Sequence, residues 1–128
     1  MAARVGRRFV TMVDFEQAKD KVMMGPERRS MVMTAEQKEM TAYHEAGHAL
    51  VGMTLPKCDP VYKATIIPRG GALGMVMSLP EIDRLNMFKD ECHQRLAMAM
   101  AGKAAEIHKY GPDSVSNGPA GDIQQASA

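Results

Sequence analysis

The sequence lacks tryptophan, contains only two cysteines and has few aromatic residues. Cys58 and Cys92 stand far apart and match no C-x-x-C zinc spacing, so they are interpreted as a reduced, intracellular pair and not as a disulfide. No apolar run approaches the roughly 18 residues that cross a bilayer. The basic start at Arg4, Arg7 and Arg8 is not followed by the apolar stretch of a signal peptide. We therefore expect neither a transmembrane span nor a secretory leader within these residues.

Strong charge of either sign is also missing. The 128 residues carry a formal net charge of +1, which gives no reason to expect nucleic acid as a partner. Hydrophobic residues make up 45% and charged residues 24%, which is typical of a soluble globular protein with one core. The phosphate-binding motif G-x-x-x-x-G-K-[ST] is absent, so this chain is not expected to hydrolyse ATP.

Two helices are predicted in the first half of the chain. The first has a helical apolar stripe and is stopped by the dipeptide Gly25-Pro26. A polar connector leads to a second helix over residues 35 to about 53, which opens with Thr34 and Gln37 in a capping-box pattern. No proline interrupts this helix before Pro56.

A β-hairpin and further helices are predicted in the second half. Residues 61–68 and 72–80 are rich in β-branched or apolar side chains and flank Arg-Gly-Gly, which is typical of a hairpin. A long helix over about 86–110 follows, and after a Gly/Pro-containing loop residues 122–128 form the first turns of another helix. The predicted fold class is mainly α with a small β-hairpin. Because the sequence starts in mid-helix and ends as a helix begins, it is interpreted as a piece of a longer polypeptide.

The stretch TAYHEAGHAL, residues 41–50, places two of the four histidines four residues apart within the second predicted helix. Positions i and i+4 lie on one face of a helix, so the imidazoles of His44 and His48 can converge on one zinc ion. Glu45 is rotated off that face, where it can take a proton from a water molecule as a general base and return it to a leaving amine. This is the logic of the H-E-x-x-H zinc peptidases.

A simpler interpretation is a pair of surface histidines on a helix. Ala46 and Gly47 favour the metal site, because small side chains let another element or a substrate come close to the ion. A mid-helix glycine costs about 1 kcal/mol relative to alanine, which implies a packing or functional reason. A catalytic zinc also needs a third protein ligand, and spacing alone leaves six candidates open: Glu91, His93, Glu106, His108, Asp113 and Asp122. Asp122 is favoured because it follows the Gly/Pro loop and begins a helix.

These motifs resemble those of the FtsH-type family of ATP-dependent zinc metalloproteases, over essentially all 128 residues. VTMVDFEQAKDKVMMGPERRSMVMT resembles the family's junction between ATPase lid and protease, and TAYHEAGHALVG resembles its zinc helix. DPVYKATIIPRGGALGMVMSLPE resembles its hairpin, and AGKAAEIHKYG and NGPAGDIQQAS resemble the helix and loop that complete the metal site. The resemblance implies an AAA+ lid remnant and linker over residues 1–29. It implies the N-terminal part of a zincin-like metallopeptidase domain, in truncated form, over residues 30–128.

The resemblance also implies roles for individual residues. His44, His48 and Asp122 correspond to the zinc ligands, and Glu45 corresponds to the catalytic base. Glu106 matches an acidic position close to the site and is expected to hydrogen-bond a ligand histidine. A strand around residues 66 to 74 resembles the edge along which an extended substrate pairs by main-chain hydrogen bonds. The residues implied in that edge are Ile66, Ile67, Gly70, Gly71, Ala72, Leu73 and Gly74.

For the whole protein, the resemblance implies one zinc ion per chain, with ATP and Mg²⁺ bound only by a separate ATPase module. It implies a homo-hexamer at the cytoplasmic face of the bacterial inner membrane that degrades unfolded, damaged or membrane polypeptides. The alternative hypothesis is an inactive truncated fragment that acts only as a zinc-binding or assembly module.

Overall fold

The computed structural model describes residue 6 and residues 9–80 and 86–128. In chain order the elements are helix α1 Met12–Met24, helix α2 Ala35–Thr54, strand β1 Val61–Thr65, strand β2 Met75–Ser78, helix α3 Lys89–Tyr110, a 3₁₀ turn Pro112–Ser114 and helix α4 Ala120–Ser127. The two strands form one antiparallel sheet. The predicted class, mainly α with a small hairpin, is therefore confirmed.

The structure bears on the cysteines and on the absence of a membrane span, but not on the basic residues near the N-terminus. Cys58 and Cys92 both carry free thiols. The basic residues Arg4, Arg7 and Arg8 lie outside the described residues. Within the described ranges, none of the helices is both long enough and apolar enough to pass through a membrane.

Both helices of the first half begin with side-chain caps. The Thr11 hydroxyl oxygen accepts a hydrogen bond from the Asp14 amide at 3.4 Å, and Asp14 Oδ2 accepts one from the Thr11 amide at 2.9 Å. Thr34 and Gln37 make the same reciprocal pair at the start of α2, with distances of 3.0 and 3.1 Å. The predicted capping box is confirmed. Gly25 ends α1 with φ of 84°, a conformation that glycine adopts without steric cost.

The hairpin is present, but its strands are shorter than predicted. Ala64 pairs with Val76 and Thr65 pairs with Met75 in the antiparallel register. The prediction of a strand around residues 66 to 74 is wrong, because Ile66, Ile67, Gly70, Gly71, Ala72, Leu73 and Gly74 belong to the connection between β1 and β2.

The sequence of this connection explains why the strand stops. Pro68 has no backbone N–H to donate, and Gly70 takes φ of 55°, which breaks an extended run. Arg69 is buried between them, and its guanidinium donates to the Gly25 carbonyl oxygen at 3.1 Å and to Glu27 Oε1 at 2.7 Å. The connection therefore folds against the segment that follows α1 instead of continuing the sheet.

Helices α2 and α3 pack closely, and a glycine permits the approach. A Cβ atom on Gly47 would lie 2.5 Å from the Ala101 carbonyl oxygen and 2.7 Å from Ala105 Cβ. The interpretation that Gly47 lets another element come close is confirmed, and that element is α3. Two helices begin a few residues away from their predicted starts. Helix α3 begins at Lys89 and not near residue 86, and helix α4 begins at Ala120 and not at residue 122.

The interior of the described residues holds more polar than apolar groups. The buried apolar residues are Met24, Cys58, Pro68, Ala101 and Pro119. The buried polar or charged residues are Asp14, Asp20, His44, His48, Arg69, Glu91 and Glu106. Burying such groups costs free energy unless hydrogen bonds or opposite charges compensate. Three of them, His44, His48 and Glu106, meet between α2 and α3.

Candidate metal centre

Two imidazoles face each other across one turn of α2. The ring centroids of His44 and His48 are 4.7 Å apart with an interplanar angle of 78°. Their Nε2 atoms are 3.1 Å apart, and both residues are buried. The interpretation of this motif as two surface histidines is therefore wrong.

The first turn of α4 brings a carboxylate to the same point. Asp122 Oδ2 lies 2.9 Å from His44 Nε2 and 3.2 Å from His48 Nε2. The three atoms form a nearly equilateral triangle, although Asp122 is more than 70 residues away in sequence, |i−j| being 78 from His44 and 74 from His48. Among the residues that the structure describes, these three form the one group of His, Cys, Asp or Glu side chains arranged to hold a metal ion.

The hydrogen bonds of the other ring nitrogens fix the tautomers. His48 Nδ1 lies 2.7 Å from the Met98 carbonyl oxygen, which can only accept, so Nδ1 carries the hydrogen. His44 Nδ1 lies 3.1 Å from Glu106 Oε2 and donates to that carboxylate. In the neutral form of each ring, Nε2 then carries the lone pair, and the two Nε2 atoms lie 3.1 Å apart.

This donor set fits a cation. Two imidazole lone pairs and a carboxylate oxygen, separated by 2.9 to 3.2 Å, repel one another when nothing positive lies between them. Zinc accepts this combination of nitrogen and oxygen ligands at about 2.0–2.2 Å. The triangle of donor atoms has the size that such bonds require.

Glu106 contacts the His44 ring at Nδ1, the nitrogen that does not belong to the donor triangle. It is fully buried on α3, and its Oε2 accepts from His44 while its Oε1 accepts from the Ser116 hydroxyl at 2.6 Å. The predicted contact between Glu106 and a histidine is present. Because it uses Nδ1 and not Nε2, Glu106 lies on the far side of the ring from Asp122 and is not a member of the donor triangle.

A glycine on α3 leaves room for the two rings. A Cβ atom on Gly102 would lie 2.6 Å from the Nε2 atom of both His44 and His48. Nothing larger than hydrogen fits at this position while the rings keep their orientation. Gly102 therefore forms one wall of the candidate centre.

Glu45 lies beside the triangle, half-buried on α2. Burial raises the pKa of its carboxyl above the ordinary value, and the nearby His44 and His48 partly oppose that rise. The connection between the strands passes close by, because a Cβ atom on Gly74 would lie 2.9 Å from Glu45 Cγ. Glu45 is thus confined between the hairpin and the imidazoles.

An open cleft of about 840 Å³ lies over these groups. Glu45, His48 and Asp122 line it, together with Ala72 and Gly74 of the strand connection. The candidate centre is therefore accessible from this cleft.

The other proposed third ligands lie elsewhere. Glu91 is buried at the start of α3, whereas His93, His108 and Asp113 are exposed. None of the four belongs to the donor triangle with His44 and His48. Of the six candidates that spacing left open, Asp122 alone is brought to both Nε2 atoms.

Three groups that contact the histidines or Glu106 were not predicted from the sequence. Gly102, the Met98 carbonyl and Ser116 all act on the histidines or on Glu106. The small-residue run AMAMAGKAA contains a mid-helix glycine, which was a signal for Gly102 of the same kind as the one noted for Gly47. A backbone carbonyl and a loop serine carry no such signal, because only the tertiary fold brings them to the site.

The chain matches the model of peptidase family M41 over residues 31–128. It is 58% identical over 127 residues to the ATP-dependent zinc metalloprotease FtsH of Caulobacter vibrioides and 56% identical over 127 residues to that of Rickettsia bellii. It is 53% identical over 126 residues to that of Haemophilus influenzae. These alignments cover 98 to 99% of this chain and 20% of each relative, so the chain spans about a fifth of the length of the curated relatives it matches. The resemblance noted in the sequence is confirmed.

Proposed function

The chain belongs to peptidase family M41, and from this premise we propose that it carries the zinc site of a metalloendopeptidase. The observation that supports the proposal most directly is the triangle of His44 Nε2, His48 Nε2 and Asp122 Oδ2. These three atoms would hold one zinc ion. When bound, such an ion polarises a peptide carbonyl and lowers the pKa of a water molecule to about 7.

We propose Glu45 as the general base. Its carboxylate takes a proton from the attacking water as the water oxygen bonds to the carbonyl carbon of the substrate. It then returns the proton to the amide nitrogen as the C–N bond breaks, so the products are a carboxylic acid and an amine. Burial supports this role, because it raises the pKa of Glu45 and makes the carboxylate a better proton acceptor.

His44 and His48 depend on their outer partners for this function. Glu106 and the Met98 carbonyl hold the Nδ1 hydrogens, which keeps both Nε2 lone pairs directed at Asp122. Ser116 in turn holds the second oxygen of Glu106. These contacts would orient both imidazole rings toward the zinc ion.

We propose that an extended polypeptide lies along the hairpin side of the cleft. In the two-stranded sheet β2 pairs with β1 alone, so one edge of β2 has no strand beside it among the described residues. Ala72 and Gly74, just before β2, line the same cleft as Glu45. The residues Ile66, Ile67, Gly70, Gly71, Ala72, Leu73 and Gly74 remain the proposed substrate-facing segment, now as a connection that leads into a strand edge.

The similarity to the FtsH relatives supports the proposals on domain boundaries, assembly, location and substrates. We propose that residues 1–29 are the end of an AAA+ lid and linker and that residues 30–128 are the first part of the peptidase domain. We propose further that the whole protein is an ATP-dependent homo-hexamer at the cytoplasmic face of a bacterial inner membrane. Its substrates would be unfolded, damaged or membrane polypeptides.

Zinc binding is tested on the 128-residue chain. Purified chain should bind one zinc ion, measured by elemental analysis after dialysis, and Asp122→Ala should lose it while circular dichroism shows the same helix content. Glu45→Gln should retain zinc. A folded chain that binds no zinc would overturn the proposal.

Catalysis is tested in a chimera in which this chain replaces the matching 127 residues of the Caulobacter vibrioides relative. The chimera should degrade casein, and Glu45→Gln in the chimera should abolish degradation while ATP hydrolysis and zinc content stay unchanged. The alternative, an inactive zinc-binding or assembly module, predicts zinc binding and ATP hydrolysis without any casein degradation.

A further inference from the structure

A charged pair lines the same cleft as Glu45 and His48. Arg95 on α3 donates from Nη2 to Asp59 Oδ2 at 3.3 Å. The Arg95 side chain is 37% exposed and that of Asp59 is 17% exposed, so the guanidinium is the more accessible partner.

Arg95 is held in place but has donors to spare. A guanidinium carries five N–H groups in a planar fork, and Arg95 makes one side-chain hydrogen bond among the described residues. Its Nε–H is buried there without a hydrogen-bond partner. The contact with Asp59 uses one N–H group of Nη2, which leaves the other N–H groups of the terminal nitrogens for a second acceptor. A carboxylate is the acceptor that such a fork binds best.

The distance from the metal centre is set by α3. Gly102 abuts both imidazoles, and Arg95 precedes it by seven residues, which is about 10 Å along a helix at 1.5 Å per residue. An extended polypeptide rises about 3.3 Å per residue. For a polypeptide that runs through the cleft alongside α3, this separation corresponds to about three residues from a peptide bond positioned at Glu45.

We propose that Arg95 is a specificity-determining residue that binds a carboxylate on the substrate about three residues from the bond that is cut. The inference rests on the proposed peptidase function and adds a charge preference to it. The carboxylate can belong to an aspartate or glutamate side chain or to the C-terminus of a short polypeptide. A lysine at the same substrate position is disfavoured, because it would face the guanidinium.

The neighbouring Asp59 supplies an internal control. Replacing Arg95 by glutamine removes the guanidinium from this end of the cleft, so the preference for Glu over Gln should be lost. Replacing Asp59 by asparagine removes the competing acceptor, so the preference for Glu should increase. Lys38→Gln, an exposed change on α2, removes one positive charge outside the cleft and controls for net charge.

The first experiment measures cleavage by the chimera. Quenched-fluorescence peptides with blocked termini differ only in carrying Glu, Gln or Lys at the third residue on either side of the cut bond. At one of these positions, kcat/KM for the Glu peptide should be about five to ten times that for the Gln peptide, mainly because the Glu peptide has the lower KM. This ratio should decrease in high salt. The Lys38→Gln chimera should keep the ratio. Peptides that end at this position, with a free or an amidated terminus, distinguish a terminal carboxylate from a side chain.

The second experiment does not need catalysis. Fluorescein-labelled versions of the same peptides are titrated with the zinc-loaded 128-residue chain carrying Glu45→Gln, and anisotropy gives Kd. The Glu peptide should bind about five to ten times more tightly than the Gln peptide, and Arg95→Gln should abolish that difference. Equal Kd values for Glu, Gln and Lys peptides would overturn the role of Arg95. Absence of cleavage combined with a charge-dependent Kd would instead contradict the catalytic proposal alone.

Discussion

His48 Nδ1 lies 2.7 Å from the carbonyl oxygen of Met98, on the neighbouring helix. A carbonyl oxygen accepts a hydrogen bond whatever side chain its residue bears, so this contact depends on how α2 and α3 pack and not on residue type at position 98. It directs the Nε2 lone pair of His48 toward His44 and Asp122. The register of two helices thereby sets the direction of one proposed metal ligand.

Gly102→Ala should weaken zinc binding without unfolding the chain. The new methyl group would lie 2.6 Å from both Nε2 atoms, so the rings must turn away from Asp122. Alanine favours the helix by about 1 kcal/mol over glycine, which offsets part of the strain in the zinc-free chain. We expect at least a tenfold loss of zinc affinity, measured by competition with a chromogenic chelator, with helix content unchanged.

Gly121→Ala is the matched control for this change. Gly121 also lies in a helix, next to Asp122, but a Cβ atom there would have no atom within 4 Å. This variant should bind zinc as the parent chain does. Equal zinc affinity in Gly102→Ala would show that the rings tolerate a methyl group and that Gly102 is not a wall of the site.

The sequence predicted the helices of this site better than the hairpin beside it. The capping box at Thr34 and Gln37 is local, because its partners are three residues apart, and it was found correctly. The strand predicted over residues 66 to 74 was wrong, since Arg69 forms its contacts with Gly25 and Glu27, more than 40 residues away. Periodicity carries no information about such distant partners.

The same difference between local and distant contacts applies to the proposed metal ligands. The spacing of His44 and His48 predicted that both would lie on one face, because the helix itself defines their separation. Asp122 could be favoured but not chosen from spacing, since its position depends on how α4 returns to α2. Met98 and Ser116 were beyond prediction for the same reason, as only packing brings them to His48 and Glu106.

Glu106→Gln should lower zinc affinity by about tenfold to a hundredfold. Glutamine keeps the shape and can still accept from His44 Nδ1, but it removes the negative charge that holds the ring and increases its basicity. Elemental analysis at limiting free zinc measures the loss. Glu39→Gln, an exposed change on α2, is the control and should bind zinc normally. Unchanged affinity in Glu106→Gln would mean that the contact is structural only.

Gly47→Ala should destabilise the packing of α2 on α3. The added methyl group would lie 2.5 Å from the Ala101 carbonyl oxygen, so the helices must separate. Overpacking of this kind costs about 1–3 kcal/mol, of which helix propensity recovers up to about 1 kcal/mol. Urea unfolding of the chain measures the difference. Gly71→Ala, where a Cβ atom meets nothing within 4 Å, should unfold at the same urea concentration as the parent.

A polar contact between α1 and β1 should make the stability of the chain depend on pH. The buried Asp20 carboxylate accepts hydrogen bonds from the Tyr62 hydroxyl at 2.9 Å and from the Lys63 ammonium. The Lys63 ammonium holds the pKa of Asp20 below its ordinary value of 3.8. The unfolded chain therefore binds a proton at Asp20 more readily than the folded chain does.

The sign of the effect follows from this difference in proton binding. The contribution of Asp20 to stability is complete above the unfolded pKa of 3.8 and is lost as the pH falls through the lower, folded pKa. Asp20→Asn should thus lower the free energy of unfolding by about 1–2 kcal/mol at pH 7. The deficit should be the same at pH 5 and should shrink toward pH 3, measured by urea unfolding at each pH. Asp113→Asn, at an exposed position, should show no deficit at neutral pH. If the loss in free energy of unfolding caused by Asp20→Asn stays constant down to pH 3, the charge of Asp20 does not stabilise the contact between α1 and β1.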